Sequence, residues 1–257
     1  MEKVYAFTNE NLTSFQDIYN YKSAKVLSVL GSGDQYFSAL LFGAKQIDLY
    51  DINPAAWDYF LFKYQAIRLL PYHEFYEIFI HYKCFMEYIY EDAKRNLKPS
   101  DAELLDSYKA KLGGDLRYLN YLGQADVIYR TDTNIPYFGY KNYGKLQEML
   151  QDRPLPKFYL DNLLNLPWIL NGEHYDLVMA SNILQWLGYR FENPSADFKK
   201  FLLNFNCDEF QALYTWDLRD DHKKDLLENG YDINEVPCSR LHKSYNDYVI
   251  SLRRNKK

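Results

Sequence analysis

VLSVLGSGDQ, residues 26–35, decides how the rest of this 257-residue chain is read. An apolar run from Val26 to Leu30 breaks into Gly31-Ser32-Gly33. The chain then resumes as Gln35 to Phe42, with Tyr36, Phe37, Leu40 and Leu41 at helical spacing. A short apolar run bounded by a glycine turn suits a strand buried on both faces. Gly43 can end the helix that follows. Ile47 to Tyr50 reads as a second strand closed by Asp51, and Pro54 stands at a natural helix start with apolar positions through Leu70. Strand, glycine turn, helix, strand, helix is the opening of a doubly wound α/β sheet.

The second half resumes that rhythm. Phe158 to Leu160 predicts a strand ending at Asp161-Asn162, and Tyr175 to Ala180 another ending at Ser181-Asn182. Asp197 to Phe205 reads as a helix, Phe210 to Trp216 as a strand, and Asp221 to Glu228 as a helix ended by Asn229-Gly230. Ile233 to Val236 and Tyr248 to Leu252 close the pattern as two strands. Seven mostly parallel strands with such a closing pair predict an α/β fold with the Rossmann-like sheet of class I methyltransferases, rather than a flavodoxin-like sheet.

The whole chain, 1–257, reads as one such domain, interrupted by an insertion over residues 71–157. Within it, HEFYEIFIHYKCFMEYIYEDAKRNL (73–97) is long enough for a helix of about seven turns. Glu74, Glu77, His81, Glu87 and Glu91 would form one narrow charged stripe, so most of the circumference needs cover, from the core or from a lipid or substrate. A second helix is expected near Asp101 to Leu112. A Tyr- and Gly-rich irregular stretch then runs through Tyr143, and long stretches of that kind serve as lids or binding loops.

Composition bounds the function. Hydrophobic residues at 47% and charged ones at 25% are ordinary for a globular chain. A formal net charge of -5 argues against a general nucleic-acid binder, which needs an excess of Lys and Arg to neutralise phosphates. The basic run Arg253, Arg254, Lys256, Lys257 reads as a solvated tail. The N-terminus shows no basic segment followed by an apolar stretch, and no window approaches a membrane-spanning length, so a cytoplasmic protein is expected. Cys84, Cys207 and Cys238 are odd in number and far apart, and the five histidines make no HxH or HExxH pattern. Neither a disulfide framework nor a metal site is expected.

A glycine at a strand-to-helix turn lets backbone N–H groups approach a ligand, and the helix N-terminus adds positive potential. A carboxylate one strand over, about 20 residues on, can accept both hydroxyls of a ribose. Gly31 and Asp51 are 20 apart, a spacing shared by nicotinamide and S-adenosylmethionine sites. The third glycine of GxGxxG would fall at Tyr36, whose bulk blocks the close helix approach of a pyrophosphate site. S-adenosylmethionine, which has no phosphate, is the better ligand. The expected cofactor-binding residues are Gly31, Ser32, Gly33, Asp34 and Gln35, then Asp51, Ile52 and Asn53, then Asp161 and Asn162, then Ser181 and Asn182. All four turns belong on the rim formed by the carboxyl ends of the strands.

Residues 25–80 also resemble the bacterial betaine-lipid synthesis family, S-adenosylmethionine:diacylglycerol 3-amino-3-carboxypropyltransferases and their relatives. The similar stretches are Gly33-Asp34-Gln35, Asp51-Ile52-Asn53-Pro54, Phe62-Lys63-Tyr64-Gln65-Ala66-Ile67 and Leu70-Pro71-Tyr72-His73-Glu74-Phe75, with a thinner likeness at Ser181, Asn182, Gln185 and Trp186. Two departures stand out. Many methyltransferases carry an acidic residue in the first strand, where this chain has Ser28. The family also favours acidic residues near Trp186, where this chain has Asn182 and Gln185. Both remove negative charge near a cationic sulfonium or amino group.

The resulting expectation is an S-adenosylmethionine-dependent transferase. The simplest form is a methyltransferase acting on a small molecule or a lipid head group, with peripheral membrane contact left open. Aminocarboxypropyl transfer is the alternative that the resemblance implies, and a non-catalytic adenosine-binding module the alternative from another class. Displacement at a sulfonium-bound carbon needs alignment and water exclusion more than a catalytic triad. A base helps only where the acceptor carries a proton. His73, Asn182 and Tyr140 are the candidates to touch the reaction, and Tyr137, Tyr140 and Tyr143 to line an acceptor pocket.

Overall fold

A computed structural model describes the chain except for residues 1–3, 9, 82–84, 115, 117–133, 182, 184–203, 215–219, 229, 239–246 and 255–257. Its sheet has seven strands among the described residues, in the order β3-β2-β1-β4-β5-β7-β6. They are β1 Lys25–Val29, β2 Gln46–Asp51, β3 Phe158–Leu160, β4 Tyr175–Met179, β5 Cys207–Tyr214, β6 Tyr231–Cys238 and β7 Asp247–Arg254. β1 to β5 run parallel, and β7 lies antiparallel between β5 and β6. A parallel sheet with its first strand central and an antiparallel strand inserted next to the last is the class I methyltransferase layout.

Side chains on the strands alternate between two cores, as the period of two requires. Val26, Leu30, Ile47, Leu49, Leu177 and Met179 face the larger one. Leu27, Tyr50, Val178, Ala180 and Ile250 face the smaller one. The helices are α1 Phe15–Ile18, α2 Asp34–Leu41, α3 Pro54–Leu69, α4 Tyr72–Tyr76, α5 Glu87–Arg95, α6 Pro99–Lys111, α7 Tyr140–Leu150, α8 Leu166–Ile169 and α9 Asp220–Glu228. α3 starts as the sequence predicts: Asn53 is its N-cap, accepting from the Ala55 N–H at 2.9 Å, with Pro54 at the first position. Among the described residues no helix is long and apolar enough to cross a membrane.

The insertion departs from expectation in two places. The helix expected over 73–97 is interrupted: α4 passes into a π-helical turn at Glu77–His81, and α5 begins only at Glu87. Met86 N–H bonds back to the Ile78 carbonyl at 3.0 Å, so the chain folds on itself. The break separates a mostly apolar first half, Phe75 to Ile80, from an amphipathic second half that buries only Tyr90 and Ala93 of α5. Phe75 stacks on Phe79 one turn along, and folding back lets Phe79 meet Phe85 edge-on, with Phe85 then meeting Tyr90. The broad apolar surface that suggested a lipid contact is therefore consumed in the core: Phe75, Ile78, Phe79 and Tyr90 are all buried. Along the charged stripe Glu77 lies against His81, and Glu87 and Glu91 pair with Lys109 and Lys94.

The second departure is α7, which begins inside the stretch read as irregular. Tyr143, Leu146 and Leu150 form its buried face, three and four residues apart. α6 and α7 both pack against α3. The helix expected over Asp197 to Phe205 lies almost wholly outside the described residues, as does the stretch between Leu116 and Asn134.

Candidate functional site

The register aligns the expected turns. Asp51 pairs with Leu160 on β3, Val29 with Tyr50 on β2, and Ser28 with Met179 on β4. Gly31, Ile52, Asp161 and the turn at Ser181 thus all follow the last paired residues of their strands, on one rim. The structure brings together four of the predicted turns. Asn182 lies outside the described residues, with Gln185 and Trp186.

At the centre, Gly31 N–H donates to Asp51 Oδ2 at 2.9 Å, and Asn53 N–H donates to Asp51 Oδ1 at the same distance. Asp51 thus joins the glycine turn to the start of α3. The two glycines differ. Gly33, at φ +81°, sits where a Cβ would come within 2.8 Å of the Phe60 ring, so packing alone demands a glycine there. Gly31, at φ +50°, would place a Cβ in open space. Ile52, 69% exposed, flanks that opening. Asp161 accepts from Asn162 N–H and from Asn165 Nδ2, while Asn162 caps the short helix that follows by accepting from Leu164 N–H.

The Asp34 and Gln35 side chains are engaged within the protein itself. The Asp34 carboxylate is wholly buried and takes four donors: Lys63 Nζ at 2.5 Å and the Tyr137 hydroxyl on Oδ1, and Thr8 N–H at 2.6 Å and Ser32 Oγ at 2.7 Å on Oδ2. Four donors fill its acceptor capacity, so the side chain has nothing left for a ligand. Lys63 is also buried and further donates to the carbonyls of Ala6 and Ser32 at 2.9 and 3.1 Å, beneath the Phe7 ring. Burial pulls its pKa down to about 8, against the pull of Asp34. This cluster ties together the N-terminal segment, the glycine turn, α3 and the insertion.

A second buried network lies beside it. Ser28 Oγ is 2.8 Å from Gln35 Oε1, and Gln35 Nε2 donates to Glu10 Oε2 at 2.6 Å. The Ser181 hydroxyl donates to Glu10 Oε1. Glu10 is 2% exposed, and burial raises its carboxyl to about 7. The sequence reading missed Glu10 and Lys63. A signal existed for Lys63, a lone cation inside the apolar helix PAAWDYFLFKYQAIRL; for Glu10, in a segment without periodicity, there was none.

The remaining candidates scatter. The His73 side chain is 77% exposed, with Glu74 as its neighbour at 3.8 Å. Tyr140 is 75% exposed. Tyr143 is buried and donates to the Leu70 carbonyl at 2.9 Å beyond the end of α3. Tyr137 alone of the three tyrosines reaches the glycine turn, through Asp34.

No family model matches the chain, and no curated protein does. Solved structures with a similar layout include the magnesium protoporphyrin IX methyltransferase of Synechocystis PCC 6803 with bound SAM. It shares 13% identity at a TM-score of 0.44, over 95% of this chain and 76% of that one. An rRNA methylase of Streptococcus thermophilus aligns at 7% identity and a TM-score of 0.39, over 96% and 93% of the two chains. The rRNA methyltransferase aviRa of Streptomyces viridochromogenes aligns at 12% identity and 0.40, over 93% and 82%. The fold assignment rests on strand order and direction: this chain has a class I methyltransferase fold.

Proposed function

We propose that the chain is an S-adenosylmethionine-dependent transferase, in its simplest form a methyltransferase, acting on a small molecule or a lipid head group. The observation that carries this reading is the Gly31–Asp51 contact at the head of the sheet. A glycine with open space on its outer side lies against a carboxylate that ends the neighbouring strand. Gly31 and Ser32 would hold the ligand through their backbone, Asp51 would accept from the ribose hydroxyls, and Asn53, Asp161 and Asn162 would flank the adenine. The open space at Gly31 and the exposed Ile52 suit a flat, largely uncharged nucleoside. When bound, S-adenosylmethionine supplies a carbon on a positively charged sulfur, already activated for displacement.

The protein's own contribution is then position and dryness. The Asp34–Lys63–Tyr137 cluster holds the turn rigid from behind, and the N-terminal segment walls one side of it. Through Tyr137 the insertion contributes to that support. The deciding experiment incubates the protein with S-adenosylmethionine and either a small-molecule and lipid extract or total RNA. Production of S-adenosylhomocysteine supports methyl transfer, and the active fraction reports the acceptor class. Methylthioadenosine instead would assign aminocarboxypropyl transfer. Ligand binding with neither product would leave a binding module.

A further inference from the structure

We infer that Glu10 is the counter-charge for the ammonium group of the ligand's amino-acid end, standing in for the carboxylate that the first strand lacks at Ser28. This rests on the proposed reading of the site and adds a residue to it.

The argument begins with charge balance. Two buried carboxylates are bonded to the turns of the rim, Asp34 to Ser32 and Glu10 to Ser181; a third, Asp48, lies further down β2 with Tyr175 and Gln46. Asp34 has Lys63 against it, whereas the partners of Glu10 are the neutral Ser181 and Gln35, and among the described residues no cation pairs with it. A buried carboxylate without a cation is costly unless it is protonated or a ligand supplies the charge. Asp34 on α2 adds to that pressure by charge repulsion, while the nearby Tyr21 and Tyr50 hydroxyls, their pKa values pushed well above the usual value by burial, stay neutral and offer no compensation.

Position gives the same answer. Asp51 ends β2, on one side of β1, and Ser181 follows β4, on the other. Two strand spacings separate them, roughly 10 Å, which is the reach from the ribose to the ammonium of an adenosyl amino acid. With the ribose on Asp51, the chain beyond the sulfur crosses the Gly31 turn and arrives at Ser181, where Glu10 is bonded. Ser28 reaches the same carboxylate through Gln35. The first strand thus keeps a link to a negative charge that the N-terminal segment provides.

The test is calorimetry at pH 8 with two probes: S-adenosylhomocysteine, and methylthioadenosine, which keeps the adenosine and the sulfur but lacks the amino-acid end. Glu10→Gln, close in shape, should weaken S-adenosylhomocysteine binding about tenfold to a hundredfold, the loss of one charge-assisted bond. It should leave methylthioadenosine within about twofold, the spread expected when one contact is left untouched. The wild-type protein gives a second measurement that does not depend on a variant folding. Lowering the pH from 8 to 6 should weaken S-adenosylhomocysteine and spare methylthioadenosine. Equal losses for both probes, or none for either, would overturn the role of Glu10 while leaving the adenosine site standing. A wild-type protein that binds neither probe would remove the adenosyl reading and this inference with it.

Discussion

The Lys63 ammonium lies 2.5 Å from Asp34 Oδ1, and both side chains are fully shielded from solvent. One residue opens the helix after the glycine turn and the other lies in the middle of the next helix, so the pair fixes where two helices meet behind the site. Lys63→Met leaves Asp34 buried and uncompensated, and breaking a buried pair this way costs about 3–5 kcal/mol. Denaturant unfolding should show that loss. Adding Asp34→Asn should recover part of it; a double variant as unstable as the sum of the two singles would mean that the residues act independently.

The two glycines of the turn should separate fold from binding. Gly33→Ala forces a Cβ towards the Phe60 ring and keeps a left-handed backbone, so it should destabilise by about 2 kcal/mol or more. Gly31→Ala bears only the backbone strain, about 1 kcal/mol. Its methyl group would nonetheless stand where the ligand approaches, so thermal unfolding should barely move while adenosyl binding is lost. Equal effects on stability would undo this division of roles.

Asp51→Asn keeps one carbonyl oxygen for the backbone amides of Gly31 or Asn53 but removes the charge. A charge-assisted hydrogen bond is worth about 1.5–3 kcal/mol, so the affinity for an adenosine ligand should fall at least tenfold. Calorimetry on a variant whose melting temperature is close to wild type checks this. Unchanged affinity would move the ribose elsewhere.

Tyr137→Phe removes a hydroxyl that donates to Asp34 from the insertion. The loss of one buried hydrogen bond to a charged group should destabilise by about 1.5–3 kcal/mol. Hydrogen exchange should rise at the Gly31–Gln35 turn as well as around Pro136–Phe138, because the bond joins the two. Exchange that rises only in the insertion would mean that the turn does not depend on it.

Glu10 also predicts a pH dependence. Its carboxyl is raised from 4.5 to about 7 by burial, opposed by the Ser181 and Gln35 hydrogen bonds and increased by Asp34. Between those values the folded protein holds a proton that the unfolded chain has released. The associated stability is fully present below about 4.5 and is lost as the pH rises through about 7, on the order of 3 kcal/mol. Unfolding at pH 5 and pH 7.5 should therefore differ more in wild type than in Glu10→Gln. Parallel pH profiles would place the raised group elsewhere.

Periodicity and punctuation in the chain were sufficient for the sheet. Val26 to Leu30, Ile47 to Tyr50 and Tyr175 to Ala180 announce strands because a strand covered on both faces is mainly apolar along its length. Gly31, Gly43 and Pro54 mark turns through backbone constraints that act locally. The rim positions of Gly31, Asp51, Asp161 and Ser181 were legible for the same reason: each ends a strand or follows one within two residues, and parallel strands end on one edge. Tertiary structure alone decided which side chains the protein uses up on itself. Asp34 reads as a site residue, yet four donors from four separate stretches of chain converge on it. The stretch over 73–97 reads as one helix, yet the chain folds back within it and brings Phe85 against Phe79. Glu10, in a segment with no pattern, becomes a buried carboxylate beside the rim only because the N-terminal segment packs there. Charge neutralisation and burial depend on contacts between residues far apart in sequence, as with Glu10 and Ser181, 171 positions apart, and no local spacing encodes them.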